Sequence, residues 1–168
     1  WEGKTNVDYI RIYVPLGSKL NSATGFSMIE NSRYILPDKD AVPDTDLQNI
    51  ENGSILDEAS GTRITNEFNK TVFGNWLSVD PGSTITASIT YTLPWKLQLG
   101  GLFDKSDQYS LYVQKQPGII NNYFTGQISV PDTDQVLWHS SNITDENGQY
   151  EYNGDLNTDK SFGILLKK

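Results

Sequence analysis

From Ser83 to Leu93 the chain alternates apolar and hydroxyl side chains almost without a break. Ile85, Ala87, Ile89, Tyr91 and Leu93 fall on one side, and Thr84, Thr86, Ser88, Thr90 and Thr92 on the other. Successive side chains of an extended chain point to opposite faces, so this order describes a strand with one buried and one wetted face. It does not suit a helix, whose apolar stripe recurs every three to four residues. Tyr9–Val14 repeats the rhythm, with Ile10, Ile12 and Val14 opposing Tyr9, Arg11 and Tyr13. Further strands are expected at 20–26, with Gly25 a candidate bulge, and at 71–79, 109–114, 124–130, 136–139, 150–156 and 162–166. Turns punctuate them. Asp80-Pro81-Gly82-Ser83 has Pro and Gly where a type II turn wants them, and Pro131-Asp132-Thr133-Asp134 is a second turn signal. Such signals recur roughly every 8–14 residues, the spacing of a sandwich or barrel.

One stretch breaks the pattern. Residues 37–61 carry Asp38, Asp40, Asp44, Asp46, Glu51, Asp57 and Glu58 against Lys39, with no two-residue period. Asp44 suits the N-cap of a short helix running to Ile50 with Gly53 beyond its end, and a second helical turn is expected at 54–59. The chain therefore reads as all-β. It is expected to be a two-sheet antiparallel β-sandwich, immunoglobulin-like or jelly-roll, of roughly eight to ten strands with an acidic loop or short-helix insertion around 37–61. At 168 residues it is read as one domain over 1–168, and its opening at Trp1 without Met reads as an excision from something longer.

Composition narrows the chemistry. A formal net charge of −8 with arginine only at 11, 33 and 63 argues against nucleic acid, whose phosphates need a basic face. One histidine and no cysteine remove most zinc sites and all thiol chemistry and disulfides. The missing cysteines suit either a cytosolic protein or an exported one that avoids stray thiols; the Ser-, Thr- and Asn-rich composition favours the second. No apolar run approaches the ~20 residues of a membrane span.

Candidate sites are few. A serine triad would depend on His139, yet no G-x-S-x-G elbow exists, and the imidazole reads as a surface group beside Trp138. A glycosidase pair would have to come from Glu67 and Glu151, which lie in strand-like surroundings. Calcium takes oxygen ligands from loops, and two groups qualify: Asp38, Asp40, Asp44 and Asp46, and the later set of Asp145, Asn147, Asp155, Asn157 and Asp159 with Glu146. Neither has EF-hand spacing, and turns use the same residues for their own hydrogen bonds. Among the aromatics, Trp76 and Trp138 read as core, whereas Trp95 and Tyr123 are the candidates for an exposed surface that stacks on sugar rings.

Four phrases in order carry a resemblance: Tyr9–Ser18 followed by Gly25-Phe26; Lys70–Trp76; Asp80-Pro81-Gly82 leading into Tyr91–Pro94; and Tyr109–Gly118. Together they resemble the C-terminal region of the DUF4012 family, bacterial membrane-anchored proteins with a domain of unknown function. The resemblance spans roughly residues 7–166 and leaves out 37–61. It implies an extracytoplasmic module at the bacterial cell surface, itself not membrane-embedded, whose parent chain is membrane-anchored. It brings no catalytic residues. The functional expectation is a non-catalytic structural or adhesive module of the cell envelope, partnered by an envelope protein. The alternative is a carbohydrate-binding module contacting cell-wall or exopolysaccharide glycans. No cofactor is expected apart from the calcium candidate.

Overall fold

The computed structural model describes residues 3–29, 36–100, 105–115, 117–118, 120–146 and 148–168. Among them are twelve strands, all paired antiparallel, and one helix. Where the sequence suggests one domain, backbone contacts group the chain into two compact units, Trp1–Trp95 and Lys96–Lys168.

The first unit holds β1 (Asn6–Pro15), β2 (Lys19–Thr24), α1 (Thr45–Asn52), β3 (Ile55–Asp57), β4 (Thr62–Glu67), β5 (Lys70–Val79) and β6 (Ser88–Thr92). Four of its strands form a sheet in the order β1-β5-β4-β3, and β2 pairs with β6. Central β5 is buried from Thr71 through Asn75. Its Phe73 is fully buried and meets Tyr91 of β6 at 5.9 Å between ring centroids, which fixes the β2–β6 ribbon over one face of the sheet. Tyr9, Arg11 and Tyr13 lie opposite Trp76, Gly74 and Val72, and so belong to the other face.

The clearest strand of the sequence is shorter than expected: of residues 83–93, only Ser88–Thr92 is paired. Its partner β2 stops because Gly25 takes a left-handed φ of 77° and presses against the Thr86 carbonyl. Gly25 thus ends a strand instead of bulging one; the register shift lies at Leu20/Ser22. The turn before β6 forms as predicted, with Ser83 N–H donating to the Asp80 carbonyl at 3.0 Å and Gly82 at φ 73°. The predicted cap also forms: the Asp44 side chain accepts from the Asp46 and Leu47 N–H groups, both at 2.9 Å. The expected helical turn at 54–59 does not form. There β3 runs into a tight turn in which the Asp57 carboxylate accepts from Ser60 N–H and Oγ.

The second unit holds β7 (Ser106–Val113), β8 (Tyr123–Ser129), β9 (Gln135–His139), β10 (Thr144–Glu146), β11 (Gln149–Asp155) and β12 (Lys160–Lys167). Its sheets are β7-β12-β9 and β10-β11-β8. Phe162 of β12 reaches Tyr152 and Phe124 of the other sheet, at 4.9 and 5.8 Å between centroids. Around this contact pack Ile143, Tyr150, Ile164 and Leu166, a two-sheet sandwich core in which inward residues alternate with polar outward ones. Trp138 is not part of it. The indole is 56% exposed and lies over Gly163, whose missing side chain leaves the room.

Candidate functional site

Sheet alternation sets the site. On the face of β1-β5-β4-β3 turned away from Phe73, Gly74 lies opposite Arg11 on one neighbouring strand and Arg63 on the other. Two of the chain's three arginines therefore flank a position with no side chain, about 10 Å apart across two strand spacings. The Tyr9 ring fills the space where a Gly74 side chain would stand and packs on Trp76 at 4.8 Å between centroids. Leu47, Ile50 and Glu51 of α1 and the 27–29 segment complete an open groove of about 660 Å³. Its walls mix apolar and aromatic side chains with polar and charged ones.

Each guanidinium has a carboxylate beside it. Arg63 pairs with Glu51 at 3.4 Å, and both side chains are about half exposed. Arg11 pairs with Glu67, which is buried at the end of β4. Glu67 is fully engaged, its Oε1 accepting from Thr65 Oγ1 at 2.6 Å and its Oε2 from Arg11 and, at 3.2 Å, the Tyr13 hydroxyl. The Arg11 guanidinium also lies over the Tyr13 ring at 5.4 Å. Nearby, buried Asn75 donates to the Ser60 carbonyl at 3.0 Å and to Thr62 Oγ1 at 2.9 Å, holding the β3–β4 turn. The groove's two positive and two negative groups balance, in a chain whose formal charge is −8.

The residues singled out from the sequence are distributed over both units. Trp95, 45% exposed, closes the first unit, and Tyr123, 66% exposed, starts β8 in the second. Glu67 and Glu151 are likewise divided between the units. In the calcium candidate, Asp145 lies opposite Tyr150 and its carboxylate accepts from Gly148 N–H at 3.0 Å. Asp155 ends the same strand β11, about 17 Å further along, far beyond one ion's coordination sphere. Asp159 accepts from the Tyr112 hydroxyl at 2.6 Å and from Lys115 N–H at 2.8 Å. Those bonds, Tyr112's first, hold its carboxyl below the usual carboxylate range and push the Tyr112 phenol up. Asn157 is exposed, and Asn147 lies outside the described residues. Of the first acidic group, Asp44 serves as the helix cap. Among the described residues no three histidine or acidic side chains gather as a metal-binding set. His139 has its Nδ1 3.2 Å from the Ser140 carbonyl and its ring against Tyr150.

Sequence reading missed the groove because its parts are spread over β1, β4, β5 and α1. The available signal was the pair of arginines in an acidic chain, together with Gly74 inside a strand. Comparison with family models, curated proteins and solved structures finds no match to this chain.

Proposed function

We propose that this chain is a non-catalytic binding module of a bacterial envelope protein, acting outside the membrane, and that it holds a saccharide in the Arg11–Gly74–Arg63 groove. One observation carries the reading: two guanidiniums flank Gly74, whose missing side chain is replaced by the Tyr9 ring packed on Trp76. Sugars offer apolar ring faces to aromatics and hydroxyl pairs to planar forks of donors and acceptors, and the groove supplies both. Its balanced charge favours a neutral glycan over an acidic one. The Glu67 carboxylate already accepts from Thr65, Arg11 and Tyr13 and serves to hold Arg11 in place. The resemblance of the ordered motifs to the DUF4012 family is what supports the extracytoplasmic setting.

The test is calorimetric titration of the chain with neutral and uronic-acid-bearing cell-wall oligosaccharides. Saturable binding of a neutral oligosaccharide is expected, weakened about tenfold by Arg63→Ala, since a hydrogen bond to a charged group contributes roughly 1.5–3 kcal/mol. Arg63 holds only a half-exposed ion pair, so this variant keeps its fold. No binding, or equal binding by the variant, would remove the groove from consideration.

A further inference from the structure

Three connections of the first unit meet at one end of it. The β1–β2 turn carries Leu16, the β4–β5 turn carries Phe68, and the segment leaving β6 carries Trp95. Pro15 lies opposite Lys70, Gly17 N–H donates to Thr71 Oγ1 at 2.9 Å, and Gly17 packs on Pro94. All three apolar side chains are exposed, Phe68 at 85%.

Phe68 is the unusual one. It has φ 49° and Asn69 has φ 58°, so consecutive residues occupy the left-handed region, as a type I′ hairpin turn requires. Gly, Asn and Asp take such positions readily, and a bulky side chain there is an outlier. The ring lies largely in solvent and so gains little packing that would offset the strain. A strained residue without packing of its own points to a role outside the fold.

Charge is arranged to match. Lys70 and Lys19 are exposed at this end, opposite Pro15 and Thr92. Among the described strand residues of the first unit, the carboxylate at this end is Glu67, buried against Arg11. Asp8 and Asp80 sit at the far end of the sheet, where Asp8 lies opposite Leu77 and Asp80 follows β5. In a chain of net charge −8 this end is locally cationic with an aromatic and aliphatic apex.

We infer that this end of the first unit docks on an anionic lipid bilayer. Phe68 and Leu16 enter the boundary between headgroups and acyl chains, and Lys19 and Lys70 face the lipid phosphates. Aromatic residues favour that boundary, and lysines near it gain from the negative surface potential.

The test is cosedimentation of the whole chain with phosphatidylcholine vesicles, with and without phosphatidylglycerol, at low and high salt. Binding is expected only with phosphatidylglycerol and is expected to fall with salt. Phe68→Gly should bind about tenfold more weakly, the loss of one inserted aromatic ring. Glycine accepts the left-handed turn, so the variant should melt no lower than the parent, and a binding loss could not come from misfolding. Lys19→Gln and Lys70→Gln should each weaken binding about fivefold. Absence of binding to phosphatidylglycerol vesicles, or undiminished binding by Phe68→Gly, would overturn the inference. So would self-association without lipid that disappears in Phe68→Gly, which would assign the tip to contacts between copies.

Discussion

Individual residues in this protein are held by unequal constraints. Arg11 neutralises a buried carboxylate and Arg63 an exposed one, so their removal should not cost alike. Arg11→Ala leaves Glu67 buried without its cation and is expected to cost about 2–3 kcal/mol, discounted for Arg11's own exposure. Arg63→Ala should stay within about 0.5 kcal/mol, and urea unfolding of the two variants compares them directly. Gly74→Ala would drive a methyl into the Tyr9 ring. The expected result is a modest loss of stability and a large loss of groove binding, since Tyr9 must swing from Trp76. None of these distinctions was visible in the sequence. Arg11 and Glu67 are 56 positions apart, and only the antiparallel register makes them partners. Trp138 misled for the opposite reason: a tryptophan in a strand suggests core, but Gly163 on the next strand gives it a flat outer seat.

At the scale of elements, local rules were read well and polar strands poorly. The Asp44 cap and the Asp80–Ser83 turn depend on neighbouring residues alone, and both form where their chemistry places them. By contrast β4, with Thr62, Thr65 and Glu67 buried, shows no apolar alternation because hydrogen bonds, not hydrophobic burial, satisfy its inward groups. Helix α1 buries no side chain. Its integrity therefore leans on the cap, and Asp44→Ala should cost it about 1 kcal/mol. Faster amide exchange confined to 45–52 would register that loss. The β7–β12 edge has a pH signature. Asp159 is held low by Tyr112 and Lys115, and Asp107 by the Gln98 and Gln108 N–H groups. Their contribution is present above about pH 4, the unfolded value, and is lost as pH falls through the lowered folded values. Tyr112, held high by Asp159, contributes below about pH 10 and loses its contribution as pH climbs through its raised value. Unfolding measured against pH should show the gap between the parent and Asp159→Asn closing at both extremes.

Considered as a whole molecule, the chain is two antiparallel β units, each with its own interior. All-β architecture was legible because alternation and turn spacing are local properties. The division near 95 was not, since Leu93-Pro94-Trp95-Lys96 has neither the length nor the composition of a linker. The second unit gathers Ile143, Tyr150, Phe162, Ile164 and Leu166 into a cluster of its own residues. Expressed alone, 96–168 should therefore unfold in one cooperative transition, and Phe162→Ala should lower its stability by about 3–5 kcal/mol. A gradual melt of the isolated piece would show that it depends on residues 1–95.

Strand β12 is the middle of its sheet and also the last strand of its unit, pairing with β7 and β9 at once. During synthesis neither partner can close its ladder until residues 160–167 have left the ribosome. Until then β7 and β9 must wait as unpaired extended chain, a long closure of the kind that makes β topologies slow to fold. The β7-β12-β9 half of the second unit therefore stays threadable through a narrow channel while it is being made, and becomes compact only once residues 160–167 are free.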